Sequence, residues 1–262
     1  MRRLVLADCH IGQRPGDAGE MTGWLRSAAA AGCAEVIYLG DAFQYLIGMS
    51  KFWNSGIREV IGTWRELRRA GMRIMIVEGN RDFFLDAPEL SREVDGVGRR
   101  LDLVAGAARY RLDHGDLVNR RDLQYLFWSR LSKSSVARLS ARLLPRRLAV
   151  AIVERTEARL ALTNRRFRYV KPLRDLGRSA EDAWREGVDV VLWGHFHTPW
   201  WYSRDRRLAL VVPAWLEHRV GVLIEPDGRA FWVEKNLTPL VALDRLTACG
   251  VFPVALETSI DR

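Results

Sequence analysis

Along the first 80 residues, short continuous apolar runs alternate with longer stretches whose apolar residues recur at helical spacing. The runs RLVLAD (3–8), AEVIYLGD (34–41) and MRIMIVEGN (72–80) read as strands. Gly16 to Gly32 and Ser55 to Ala70 read as the helices between them. A strand–helix–strand–helix–strand order implies parallel pairing, with strands buried on both faces and binding loops at their carboxyl ends. RLDLVAG and ARYRLDHGD look like antiparallel additions. DVVLWGHFH (189–197), LALVVPAW (208–215) and GVLIEPDGRAFWVEK (221–235) resume the strand pattern, the last around a Pro-Asp-Gly turn. Two packed sheets flanked by helices are expected, with no internal repeat.

Asp122 to roughly Arg168 breaks the pattern. It is rich in Leu, Arg and Ala, holds Pro145 as its one strong breaker, and should form several amphipathic helices. Because it separates two strand-rich blocks, it reads as a helical insertion over a site. The expected division is a core of residues 1–121 and 172–240, an insertion of 122–171, and a tail of 241–262.

Charge sharpens this division. Between Val118 and Lys171 there are 14 Lys and Arg against three acids, whereas the rest of the chain holds 27 basic and 29 acidic residues. The excess positive charge lies in one segment, which suits an anionic partner such as a nucleic acid, an anionic membrane or a phosphorylated substrate. No apolar run approaches the ~18 residues of a membrane-spanning helix. The apolar stretch at the N-terminus is only Leu4 to Ala7, so it reads as a first strand and not as a targeting segment. Cys9, Cys33 and Cys249 show no C-x-x-C spacing, in keeping with a reducing, cytoplasmic setting.

Metal-capable residues gather at the ends of five strands. VLADCH supplies Asp8 and His10, YLGD supplies Asp41, VEGN supplies Asn80, LDHGD supplies His114, and LWGHFH supplies His195 and His197. Four of the five histidines belong to this set, which makes a chance arrangement a poor explanation. Each piece alone is weak: Gly-Asp and Gly-Asn after a strand are ordinary turns. If the last strand continues past Gly194, alternation puts both imidazoles of G-H-x-H on one face. Mixed His, Asp and Asn ligation without thiolate suits Mn²⁺, Fe²⁺ or Zn²⁺ better than Ca²⁺.

In this order, D-x-H…GD…GN…H…GHxH resembles the calcineurin-like metallophosphoesterases, over Asp8 to Pro199. The resemblance implies a four-layer α-β-β-α sandwich with a helical lid insertion, and a site for two divalent ions, with Mn²⁺ expected. One ion would take Asp8, His10 and His197, the other Asn80, His114 and His195, with Asp41 bridging. Two cations about 4 Å apart acidify a water, orient it for in-line attack and stabilise charge on a phosphoryl group.

Most of that superfamily has His after the Gly-Asn; here Arg81 follows, in GNRDF. This looks like the branch that hydrolyses UDP-2,3-diacylglucosamine to UMP and lipid X during lipid A synthesis. Arg gives up no proton near neutral pH, but its planar fork can clamp a phosphate and compensate transition-state charge. Arg81 and His195 are thus the catalytic candidates; Asn80, Arg81, Asp122, Tyr125 and Asn164 are the candidates for substrate contact. An acylated UDP-sugar is the expected substrate. The basic segment, which also carries Leu126, Phe127, Trp128, Leu131, Leu139, Leu143, Leu144 and Leu148, is expected to meet an anionic inner-membrane surface from the cytoplasmic side.

The chain departs from that branch in places. Leu160 and Phe167 stand where the branch has Ser and Lys, with Arg165, Arg166 and Arg168 offering replacement cations. Cys9 stands for Leu, and an Ala-Trp-His ending appears as PAWLEH with His218 displaced. Hydrolysis of another nucleotide-linked lipid stays open, and a nuclease or nucleotide phosphodiesterase on the same core is the second reading. GNRDF and the apolar insertion argue against it, so no nucleic-acid partner is expected. A metal-poor binding scaffold is a third, and it would lack ligands that this chain has.

Overall fold

The apolar runs fold into neighbouring strands, and the pleat explains why each run is apolar throughout. The structure is a computed structural model that describes residues 1–119, 127, 130–163 and 172–245, with the backbone alone at 154, 157–163 and 245. The chain begins with β1 (Arg3–Leu6), α1 (Asp17–Ala30), β2 (Glu35–Leu39), a short β3 (Leu46–Ile47), α2 (Ser55–Arg69) and β4 (Arg73–Val77). β5 (Asp82–Phe83), α3 (Pro88–Ser91), β6 (Gly96–Gly98), β7 (Arg100–Ala105) and β8 (Ala108–Asp113) follow. Two helices, α4 (Ser135–Leu143) and α5 (Arg146–Thr163), fall within the basic segment. Next come α6 (Leu173–Arg185), β9 (Val190–Trp193), β10 (Trp200–Arg204), β11 (Arg207–Val211) and a one-turn α7 (Trp215–His218). The hairpin strands β12 (Gly221–Ile224) and β13 (Ala230–Val233) lead to β14 (Pro239–Ala242).

The larger sheet has the order β14-β13-β12-β1-β2-β4-β6, parallel from β1 to β6 and antiparallel from β12 outward. The second has the order β10-β11-β9-β8-β7, parallel across its three central strands and antiparallel at both edges. Register sets Leu4 beside Val36 and Val36 beside Ile74, and this row packs under α1 and α2 against Met21, Trp24, Val60 and Trp64. The alternate row, Val5 and Ile37, turns with Trp232 of β13 to the second sheet and meets Leu112, Leu192 and Leu210. On the far face, Leu176, Ala180, Ala183 and Trp184 of α6 cover Val191, Trp193, Ala209 and Val211. The layers are therefore α-β-β-α, as the sequence pattern and the resemblance imply.

The strands end earlier than their apolar runs. β1 stops at Leu6, β2 at Leu39 and β4 at Val77, which leaves Asp8, Asp41 and Asn80 on loops. One expectation fails here. β9 ends at Trp193 and does not continue past Gly194, so strand alternation does not align His195 and His197. Both instead take left-handed backbone angles, φ 67° and 55°, which turn the two rings inward from a loop.

Helices α4 and α5 pack Ala137, Ala141, Ala149, Val150 and Val153 onto Tyr45, Ile47, Phe52 and Phe84. α4 is amphipathic, with Ser134 capping it by accepting from Ala137 N–H. In α5 the separation is poorer than the sequence pattern suggests: Leu148 and Ile152 are exposed although Ala149 and Val153 are packed.

Replacing Trp232, fully buried between the sheets, with Ala should lower unfolding stability in urea by about 3–5 kcal/mol. Leu139→Ala, on the exposed side of α4, should change it by no more than about 0.5 kcal/mol.

Candidate metal centre

Where the first three parallel strands end, the chain turns sharply, and the backbone bends aim polar side chains into one buried space. Asp8, His10 and Asp41 all have left-handed φ, of 47°, 44° and 50°. Asp and His tolerate this region better than most residues. The preceding glycines are required for space. A Cβ on Gly40 would lie 2.1 Å from the His114 ring, and one on Gly79 would lie 2.4 Å from Asp41 Oδ1. The Gly-Asp and Gly-Asn turns thus let two loops close against each other.

In one half of the site, His10 and His197 stack with ring centroids 5.2 Å apart, and their Nε2 atoms are separated by 3.4 Å. Asp8 Oδ1 faces both, 3.8 Å from His197 Nε2 and 4.0 Å from His10 Nε2. Asp8 Oδ2 accepts from the His195 N–H at 2.8 Å. Across the site, Asn80 Oδ1 lies 3.1 Å from His114 Nε2 and 3.0 Å from His195 Nδ1. Asp41 sits between the halves, with Oδ2 4.0 Å from His10 Nε2 and Oδ1 3.6 Å from His114 Nε2.

This arrangement fits a cation. The ligand atoms of Asp8, His10 and His197 lie within 4.8 Å of one another, and those of Asp8, Asp41 and His114 do likewise. Asp8 Oδ1 is fully buried without a hydrogen bond, an expensive condition for a carboxylate unless a positive charge faces it. Oxygen and imidazole donors without sulfur suit a divalent ion of intermediate hardness. The electrostatics agree. Burial raises the Asp8 carboxyl, despite His197 and His114 beside it. Burial opposes charge on Asp41 too, but His114, His10 and Arg81 outweigh it and hold that carboxyl well below the usual range. Burial works against a charged His114, yet Asp41 and Asp8 raise it to about 9. Burial and the neighbouring positive His114 push His195 down to about 4.

Arg81 is buried. Its N–H donates to Asp41 Oδ1 at 2.9 Å, its Nη1 donates to Gln44 O at 3.1 Å, and its Nε lies 3.9 Å from Asp41 Oδ2. Cys9 packs into the apolar core under α1 and α2, a task Leu could equally perform. Asp122, Tyr125, Asn164, Arg165, Arg166, Phe167 and Arg168 lie outside the described residues, as does the side chain of Leu160.

Sequence reasoning missed three contributors. Asp82 is fully buried, and its Oδ2 accepts from Asp41 N–H at 3.0 Å and Gly79 N–H at 2.8 Å, tying the two loops together. Burial and the nearby Asp41 raise its carboxyl to about 7. An acid inside the otherwise apolar DFFL stretch was the available signal. Lys133 Nζ donates to Gly79 O at 2.8 Å and pairs with Glu78, so the basic segment touches the Asn80 loop. Glu217 Oε1 lies 3.1 Å from His197 Nδ1, and no sequence spacing announced it.

Oxygen and imidazole donors gathered at the carboxyl ends of two packed sheets form a candidate metal centre of the kind metal-dependent hydrolases use. Residues 1–199 match the model of the calcineurin-like phosphoesterase family, and the chain belongs to that family. Among curated relatives, a UDP-2,3-diacylglucosamine hydrolase from Ralstonia nicotianae is 27% identical over 207 residues, covering 75% of this chain and 77% of its own. One from Azotobacter vinelandii is 27% identical over 249 residues, covering 91% and 98%. A third, from Aeromonas salmonicida, is 29% identical over 208 residues, covering 76% and 78%.

Gly79→Ala tests the close approach of the loops. The added methyl must displace Asp41, so bound divalent metal measured by elemental analysis should fall sharply. Stability should drop by on the order of 1–3 kcal/mol from overpacking.

Proposed function

We propose that this protein hydrolyses the pyrophosphate bond of UDP-2,3-diacylglucosamine, releasing UMP and 2,3-diacylglucosamine 1-phosphate, as in lipid A synthesis. The observation that carries this reading is the guanidinium of Arg81, buried 3.9 Å from Asp41 at the edge of the cation-fitting cluster. The relatives named for this substrate support it.

In this reading two divalent ions, Mn²⁺ foremost, are held by Asp8, His10 and His197 on one side and by Asn80, His114 and His195 on the other. Bound there, the ions supply an acidified water and charge stabilisation at the phosphoryl group. Asp41 serves both halves because its two oxygens face opposite ways. His114 is held by its Nδ1 donating to Leu39 O at 2.9 Å, which leaves Nε2 as the ligand. His195, held down near 4, is already unprotonated near neutral pH, whereas His114, raised to about 9, becomes a ligand once a cation replaces its proton. Arg81 has no proton to give, so it acts by gripping a phosphate oxygen and compensating charge as the bond to UMP breaks. UMP leaves as a stabilised phosphate, for which an acid is dispensable.

The basic segment serves as the lid over the acyl chains, with Asp122, Tyr125 and Asn164 as its candidates for substrate contact. Its contact with Gly79 O through Lys133 and its packing on Phe84 support a position next to Arg81. The same segment rests on the cytoplasmic surface of the inner membrane. Among the described residues, seven of the twelve exposed large apolar side chains fall between Phe127 and Ile152, interleaved with Arg138, Arg142, Arg146 and Arg147. A mixture of exposed apolar and basic residues is the composition that binds anionic bilayers. No helix among the described residues is long and apolar enough to cross one.

UMP release from UDP-2,3-diacylglucosamine in detergent with Mn²⁺ is the direct test. Asp41→Ala should abolish it, together with most of the bound metal. Arg81→Ala should keep the metal and lose about 10²–10³-fold in kcat, the scale for a lost charge-stabilising donor. A loss of metal in place of kcat would remove Arg81 from the phosphate. Separately, Leu139→Asp with Leu143→Asp should weaken sedimentation with anionic vesicles while sparing hydrolysis of a small activated phosphodiester. Unchanged vesicle binding would detach the membrane role from this segment.

A further inference from the structure

We infer that Glu217 is a positioning residue for His197, fixing which imidazole nitrogen is presented to a cation. The inference rests on the ligand reading given above. A carboxylate accepts and does not donate, so the 3.1 Å contact between Glu217 Oε1 and His197 Nδ1 puts the ring proton on Nδ1. The lone pair on Nε2 then points at the space shared with Asp8 Oδ1 at 3.8 Å and His10 Nε2 at 3.4 Å. Across the site, His114 has the same orientation set by a backbone carbonyl, that of Leu39. The two halves therefore differ. One histidine is steered by a neutral group that no side-chain substitution removes, the other by a charged side chain that also raises the basicity of the ring.

Glu217 is placed for this task by a well-tethered turn. It lies in α7, whose start is tied to the His197 loop by Ala214 N–H donating to His197 O at 3.0 Å. Trp215 N–H donates to Ala7 O at 2.8 Å, joining the same turn to the residue before Asp8. The Trp215 ring is fully buried, with the Arg219 guanidinium 4.1 Å above it. Leu216 O accepts from Arg14 and Arg219, at 3.0 Å and 2.8 Å. The turn that carries Glu217 is thus bolted to both loops that carry Asp8 and His197.

The experiment is a Mn²⁺ titration of the full chain, followed by the electron paramagnetic resonance signal of free Mn²⁺. It compares the wild type with E217A, E217Q and H197A. E217A should weaken one of the two ions ~10–100-fold, the usual consequence of removing such an outer partner, and leave the other unchanged. E217Q should recover part of the loss, because its amide oxygen still accepts from Nδ1. The unfolding midpoint of metal-free E217A should match that of the wild type. Wild-type binding by E217A, with one ion lost in H197A, overturns the role of Glu217 alone. Unchanged binding in H197A overturns the ligand reading beneath it. Equal weakening of both ions with a lowered midpoint makes Glu217 a structural residue and overturns the inference as well.

Discussion

Three buried carboxylates, Asp8, Asp41 and Asp82, converge where the strands of the larger sheet end, and the rest of the site is arranged around the problem they create. Negative charge removed from water is costly unless positive or hydrogen-bonding groups surround it. Asp82 spends one oxygen on two backbone N–H groups and so becomes a strut between loops. Asp41 faces histidines on both sides and Arg81 along its flank. Asp8 keeps one oxygen without a hydrogen bond, aimed at two imidazoles. A divalent cation is a partner that would resolve this charge pattern.

The scaffold makes that convergence affordable. Both sheets are buried on both faces, so their central strands are held from either side and the loops at their ends start from fixed points. Five of the seven candidate ligands, Asp8, His10, Asp41, His195 and His197, nevertheless have left-handed backbones, a region that Asp and His tolerate best but that still strains a non-glycine residue by on the order of 1 kcal/mol. Strain of this kind persists only where surrounding packing enforces it. It belongs with a site that must hold its geometry before a substrate arrives.

The basic segment obeys a different logic. Its packed side combines Ala137, Ala141 and Ala149 with Leu144, Val150 and Val153 against Ile47 of β3 and Phe83 of β5. Its outer side leaves Leu139, Leu143, Leu148 and Ile152 exposed, more apolar surface than folding of this chain alone demands. Arginines lie among these exposed apolar residues, the composition on which the proposed membrane contact rests.

The nine longer apolar runs that became strands, the two packed sheets, the helical character of residues 135–163 and the positions of the seven proposed ligands were legible in the sequence. Each depends on local periodicity or on a polar residue ending an apolar run, and such signals survive without knowledge of the fold. The order of strands within each sheet was not legible, nor were the strands β3, β5, β6, β10 and β14. Asp82 and Glu217 were not legible, because their importance arises from contacts 41 and 20 residues away along the chain. The reach of His195 and His197 was misjudged for a related reason: a local pattern cannot show that a strand stops where a loop must curl inward. What the sequence determined by itself was the inventory of donors and the strands that carry them. Only the tertiary structure decided which ring nitrogen each histidine presents and which loops lock together, since those follow from distances between groups far apart in the chain.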